Sequence, residues 1–431
     1  MRREAEGARL EIIGARVIDP ASRRDETAPI YIADGVIAAI GKAPEGFRAD
    51  ETIDAKGLIA CPGLVDLSAR LREPGFEYKA TLESELLAAV AGGVTTLACP
   101  PDTDPPLDEP GLVEMLTRRA ASLDLARVHP LGALTVGLKG EKLAEMAELH
   151  EAGCVGFFQG SAALPDPATL LQAMRYASTF GFTVWLRPQD AHLAVDGVAH
   201  DGEVATRLGL TPIPVIAETI ALRTILELMA VTGARVHVAR LSSAAGVALI
   251  AQAKASGAPI TCDVSVHHLH LCDRDIGDFD ALCHLSPPLR DPSDREALRR
   301  GLADGTIDAV CSDHAPVDDD AKQVPFAEAE PGATGLELLL PLTLQWGREA
   351  GLPPVHSLAA VTSRAAPVLG VHAGTLAAGA AADVCLFDPA RSWVVTPAAL
   401  VSQGKNTPFQ GLELTGRVVR TLVGGRTGHA A

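Results

Sequence analysis

The chain has 431 residues, 47% hydrophobic and 21% charged, with a formal net charge of −17. That length holds a large domain plus a smaller one, and the acidic balance argues against nucleic acid or an anionic membrane surface as partner. No apolar run of membrane-spanning length escapes Gly, Pro or charge, and the charged start Met1–Gly7 is followed by no signal-peptide core.

Eight cysteines are scattered without a CxxC pair, so reduced, buried thiols in a cytoplasmic protein are expected. The first sixty residues read as short strands: Leu10–Ile13, Arg16–Ile18, Ile30–Ile32, then a turn at Asp34-Gly35 into Val36–Ile40. From about residue 64 the pattern changes. Short, almost continuously apolar runs (Thr95–Cys99, Thr183–Leu186, Arg235–Val238, Ile260–Cys262, Ile307–Cys311) alternate with helical stretches such as Ser84–Ala91, Ile220–Val231 and Ser243–Ala255. Strands covered on both faces read this way, which predicts βα units around a parallel sheet. Strands return at Ala382–Asp388, Trp393–Val395 and Gly416–Val423. The expected layout is a TIM-like (β/α)8 barrel over residues 64–364, with residues 1–63 and 365–431 combining into one small β-sandwich domain.

Several ordered motifs carry a further signal. Leu58-Ile-Ala-Cys-Pro-Gly-Leu-Val65 leads into Asp66-Leu-Ser-Ala-Arg-Leu-Arg-Glu-Pro-Gly75. Gly92-Gly-Val-Thr-Thr96, Pro101-Asp-Thr103, Ser286-Pro-Pro-Leu-Arg290, Ser312-Asp-His-Ala-Pro316, Gly335-Leu-Glu337 and Ala382-Asp383 follow in order. Together they resemble the dihydroorotases of the amidohydrolase superfamily, from about residue 8 to residue 425. The resemblance implies a barrel whose active site lies at the C-terminal ends of the strands. It also implies one or two zinc ions that hold a hydroxide and polarise a cyclic amide.

At the positions where that family carries its metal ligands, this chain has other residues. The first-strand histidines fall on Ser68 and Arg70. The bridging carboxylate or carboxylated lysine falls near Phe158, Gln159 or Gly160, with no Lys or acid between Val155 and Leu164. The two later histidines fall on Arg187 and Arg240. Asp313 alone is kept. A guanidinium stays protonated and has no lone pair to offer a metal, so zinc is expected to be absent. His237 is expected to be a satisfied, semi-buried residue, and His267, His268 and His270 strand-end or surface histidines. One or more of Arg70, Arg187 and Arg240 is expected to pair with Asp313, which would otherwise be a buried lone charge. By the same resemblance, Arg72, Asp102, Ser286 and His314 are vestigial substrate-binding positions. Arg72 is either a carboxylate grip or an ion-pair partner of Glu73, Asp102 or Asp313. The acidic stretch Val317–Val324 reads as a solvated loop.

Three functions stay open. The first is a catalytically inactive homologue serving as an assembly subunit of aspartate carbamoyltransferase, with that enzyme's catalytic chains as partners and with self-association. The second is an active hydrolase of altered design, with Asp313 and His314 as acid and base and Ser312 beside them. The third is a module that binds an anion or a pathway intermediate.

Overall fold

The computed structural model describes residues 9–431; the charged start Met1–Gly7 lies outside them. Eight parallel strands form its centre: β1 (Leu64–Asp66), β2 (Val94–Cys99), β3 (Arg127–Ala133), β4 (Gly156–Phe158), β5 (Thr183–Leu186), β6 (Arg235–Val238), β7 (Ile260–Ser265) and β8 (Ala309–Cys311). Each pairs with its sequence neighbour. The ring closes just beyond the strand ends, where Arg70 N donates to the His314 carbonyl at 2.9 Å and His314 N to the Ser68 carbonyl at 3.0 Å. Asp66 reinforces the seam by accepting from the Ser312 backbone N–H at 2.7 Å and from the Ser312 hydroxyl. Inside the barrel Val65, Leu67, Ala98, Leu131, Phe158 and Trp185 pack with Ala309 and Cys311, so the interior is a filled core.

The expected strand cores recur, with differences at the ends. β7 runs three residues past the expected Cys262 to Ser265, and β8 starts at Ala309 where Ile307 was expected. Asp308, just before β8, instead accepts from the Cys262 backbone and from Lys254, at 2.8 and 2.6 Å. The helices at residues 110–123, 167–180 and 292–304 share a signal that apolar periodicity alone does not register. Each begins with Pro at its first turn, preceded by Glu109, Asp166 or Asp291, and the two aspartates cap their helices with side-chain oxygens. Proline suits that position because its missing N–H would have no helical partner there.

The chain ends build a second unit. Strands Val36–Ile40, Ile30–Ala33, Leu10–Ile13 and Glu51–Asp54 form one sheet in that order. A second sheet mixes the two ends: Arg426–Ala430, Glu413–Val423, Val384–Val394, Ile59–Pro62, Arg16–Asp19 and Arg24–Thr27. Ile12, Val17, Ile30 and Ile32 share a separate core with Val384, Leu386 and Leu422. The runs Ala382–Asp388 and Trp393–Val395 belong to one long strand whose register shifts between Asp388 and Ser392. The segment after residue 365, expected in the small domain, behaves differently. Ala365, Ala366, Val368 and Leu369 pack with the barrel-interior residues Val65, Leu67, Ala98 and Ala309.

All eight cysteines are free and buried. No helix among the described residues is long and apolar enough to cross a membrane.

Candidate functional site

The site grows from the C-terminal ends of β1, β5, β6 and β8. Arg70 lies four residues past β1, Arg187 follows β5 directly, Arg240 is two residues past β6, and Asp313 is two past β8. All four are buried. Arg240 and Asp313 sit at positive φ (60° and 44°), as does Arg72 (64°). Such backbone is costly for a side-chain-bearing residue and persists where surrounding contacts fix it.

Those contacts are visible for Arg240. Its backbone N–H donates to Asp263 Oδ1 at 2.7 Å, and Asp263 Oδ2 lies 3.0 Å from His237 Nε2. His237 Nδ1 is 2.8 Å from the Thr261 hydroxyl. His237 is fully buried with both nitrogens partnered. It is satisfied, as expected, though deeper than semi-buried. Glu218 then accepts from the backbone N–H groups of Ser242 and Ser243 at 2.9 and 3.1 Å and from both hydroxyls. The loop after β6 is therefore pinned on both sides of Arg240.

The side chains close into a ring. Arg70 Nη1 donates to Asp313 Oδ1 at 3.3 Å, and Arg240 Nη1 to the same oxygen at 3.0 Å. Arg240 Nη1 also reaches the Ser286 carbonyl at 3.2 Å, and Ser286 Oγ accepts from Arg187 Nη1 at 2.7 Å. Arg187 Nη2 donates to the Ser161 carbonyl, and Ser161 Oγ accepts from Arg70 Nη2 at 2.8 Å. The circuit is thus Asp313, Arg70, Ser161, Arg187, Ser286, Arg240 and back to Asp313. Asp102 joins from outside, accepting from Arg70 Nε at 2.9 Å. The expected pairing with Asp313 is present for Arg70 and Arg240 and absent for Arg187, which instead holds two serines.

The charges respond to this arrangement. Burial lowers the Arg70 guanidinium, but Asp102 and Asp313 outweigh it and hold the group above its ordinary value. Burial raises the Asp102 carboxyl, and Arg70 more than reverses that, leaving it below the usual range. Arg187 has no carboxylate in hydrogen-bond reach. Burial, then the nearby charges of Arg240 and Arg70, push it down to about 9.

The remaining expected site residues scatter. His314 is fully buried and turned away: Nε2 meets Glu85, and Nδ1 accepts from the Gly335 backbone at 3.1 Å. Its place as a substrate or acid–base residue is corrected here, since one nitrogen is engaged by Glu85 of helix Leu82–Ala91 and the other by the loop at Gly335. Ser312 Oγ donates to Asp66. Ser312, Asp313 and His314 therefore point to three different partners and do not assemble as nucleophile, acid and base. Arg72 pairs with none of the three acids named for it. Its Nε donates to the Pro316 carbonyl at 2.8 Å and its Nη2 lies 3.8 Å from Glu330. Ser68 is buried with its hydroxyl unpartnered. Gln159 bonds Thr135 and the Leu138 carbonyl, both at 2.9 Å.

Sequence reasoning missed two features. Ser161 is one; nothing in its neighbourhood signals that it bridges two arginines. The other is His200 with Asp291 and Asp294, whose ligand-type atoms lie within 4.8 Å of one another. Arg290 Nη1 sits 3.3 Å from His200 Nδ1 and already supplies positive charge there, while Asp291 caps the following helix. The trio of His267, His268 and His270 follows the end of β7, as strand-end histidines do, with His267 and His268 buried and His270 half-buried. Burial lowers all three to about 4. In the stretch Val317–Val324 Asp319 and Asp320 are exposed, as expected of a solvated loop. Val317 is buried instead, and Lys322 is anchored to the carbonyls of Ala281 and His284 at 3.0 and 3.2 Å.

A cavity of about 320 Å³ opens onto this ring, lined by Arg70, Arg72, Asp102, Arg240, Ser286 and Asp313 among others. The donor set does not fit a divalent cation. Of its three carboxylates, Asp313 is shared by two guanidiniums, Asp102 is held by Arg70 and Glu330 by Lys79, and no imidazole lines it.

A family model described as "Dihydro-orotase-like" matches residues 57–245, and one described as "Amidohydrolase family" matches residues 201–428. A "Dihydroorotase-like protein" of Pseudomonas aeruginosa is 47% identical over 420 residues, covering 97% of this chain and 99% of that one. The chain belongs to the dihydroorotase-like amidohydrolases. A protein named "Dihydroorotase" from Anaeromyxobacter sp. (strain K) is 43% identical over 422 residues, covering 97% of this chain and 98% of its own length. Among solved structures, the L-hydantoinase of Arthrobacter aurescens superposes with a TM-score of 0.85 at 25% identity, over 97% of this chain and 95% of that one. At its barrel mouth this chain carries the arginine ring.

Proposed function

We propose that this dihydroorotase-like chain is catalytically silent and serves as a structural subunit of an aspartate carbamoyltransferase assembly in pyrimidine biosynthesis. The observation that carries the first half is the double pairing of Asp313 with Arg70 and Arg240, at 3.3 and 3.0 Å. In the family this position supplies a metal-binding, proton-shuttling carboxylate. Here its inner oxygen is occupied by two cations that cannot give a proton away near neutral pH. The divergence of Ser312 and His314 supports the same reading, because neither of them lines the cavity. The second half rests on resemblance to the non-catalytic homologues that accompany carbamoyltransferase catalytic chains. Self-association, a cytoplasmic setting and the absence of zinc belong to the same proposal.

The competing reading is an active dihydroorotase of unusual site, favoured by 43% identity to a protein of that name. Dihydroorotate turnover in both directions, with metal content on the same purified sample, separates the two. The expected result is no turnover and no stoichiometric metal, with carbamoyltransferase chains co-purifying from the native cell. Bound zinc with turnover would replace this reading by the active one.

A further inference from the structure

An outer helix of a barrel buries one face and turns a polar one to water. Helix Pro292–Asp304 does so, with Ser293, Glu296, Arg300 and Asp304 exposed. Helix Val215–Thr232 does not. Its inner face buries Ala217, Ala221, Leu222, Ile225 and Met229. Its outer face presents Ile216, Ile220 and Val231, exposed by 53%, 43% and 70%, with Arg223, Glu227 and Ala230 exposed among them. At 3.6 residues per turn these six fall in one stripe about 100° wide along nearly the whole helix. Helix Pro167–Phe180 packs on one side and ends in exposed Phe180. On the other side, towards helix Ala244–Ala255, lies a groove of about 510 Å³ lined by Leu226, Met229, Ala230, Leu249 and Ala253 among others. A lone exposed apolar residue is ordinary, whereas a continuous stripe beside a groove marks an interaction face.

The two charges in the stripe select the occupant. Arg223 precedes Glu227 by one turn, the weaker order for pairing within a helix. Among the described residues neither enters an ion pair. A second copy of the helix, laid antiparallel across a two-fold axis between Arg223 and Glu227, sets Arg223 against Glu227 of the copy, twice over. The same register sets Ile220 against Ala230 of the copy, a large residue against a small one at the groove. We infer that the face around helix Val215–Thr232 is a self-complementary contact between two copies of this chain. Charge pairing fixes its register, and the flanking apolar residues leave water when the helices meet. The inference rests on the self-association within the proposed function and is independent of the state of the barrel mouth.

The test is sedimentation equilibrium of the purified full-length chain. The parent is expected as a dimer or a multiple of one. Arg223→Glu and Glu227→Arg each place like charges opposite one another twice per contact, and each should weaken association at least about tenfold. Both positions are exposed, so both variants should keep the parent's thermal unfolding transition. Mixed in equal amounts, they present opposite charges to each other at both places, and the mixture should recover the parent's association. The double variant Arg223→Glu/Glu227→Arg should recover it too, whereas Ile220→Asp should weaken it with no rescue by mixing. A monomeric parent, single variants that associate as the parent does, or a mixture that stays dissociated would each overturn the contact. Those outcomes leave catalytic silence standing. Turnover with bound zinc would overturn that silence and leave the contact in place.

Discussion

At the scale of single residues, Asp313 is the hinge of the site. It is buried and faces two guanidiniums through one oxygen. Asp313→Asn keeps the shape, and Asn tolerates positive φ, so the change removes little but the charge. Two buried cations then lose their common partner, and a loss of about 3 kcal/mol is expected. Urea denaturation measures it; a variant as stable as the parent would show that the ring does not depend on this pair. A second residue-scale effect concerns protons. Burial holds His267, His268, His270 and His284 at about 4 in the folded chain, against 6.5 when free. Between those values the unfolded chain binds more protons than the folded one, so stability rises with pH across that window. Below about pH 4 both states are protonated and the slope fades. Urea midpoints should climb from pH 4.5 to pH 6.5 at constant salt, and a flat profile would contradict neutral buried imidazoles. His267 was legible in sequence only as a histidine beside two others. Its burial against Phe409, ring centroids 5.7 Å apart, depends on a segment well over a hundred residues away.

At the scale of elements, the strand cores were readable because a strand covered on both faces is apolar throughout, and those short runs alternate with longer helical stretches. Element ends were less readable, since they are set by caps and side-chain hooks. Glu218 shows why. It lies in helix Val215–Thr232, yet it holds the loop after β6 through two backbone and two hydroxyl hydrogen bonds. Sequence periodicity treats it as one more acid on a helix. Glu218→Ala should cost at least about 2 kcal/mol, because buried backbone N–H groups are left without acceptors. It should also loosen the loop carrying Arg240. Hydrogen exchange at Ser242 and Ser243 reads this directly, and unchanged protection there would argue against the pinning role.

At the scale of the whole molecule, the small domain makes the chain ends interdependent. Strand Ile59–Pro62 has Val384–Val394 on one side and Arg16–Asp19 on the other. The loop after the C-terminal helices returns to the barrel as well: Glu337 accepts from the backbone of Val401 and Ser402, and Glu85 from the Ser402 hydroxyl at 2.6 Å. A chain truncated after residue 375 therefore loses the centre of one sheet and exposes the second core. It should be recovered aggregated or without a cooperative unfolding transition. A soluble truncated chain that unfolds cooperatively would mean that the barrel stands alone.

The sequence by itself determined the alternation of strands and helices, the pairing of the two chain ends into one domain and the set of residues at the barrel mouth. These follow from local pattern and from the identity of the residues themselves. Only the tertiary structure decided where the arginines point. Arg70 and Arg240 converge on one oxygen of Asp313, Arg187 turns to Ser161 and Ser286, Arg72 to Pro316, and His314 to Glu85. A long charged side chain reaches partners far away in sequence, and its choice among them is fixed by which acceptors closure of the barrel leaves within reach and out of water.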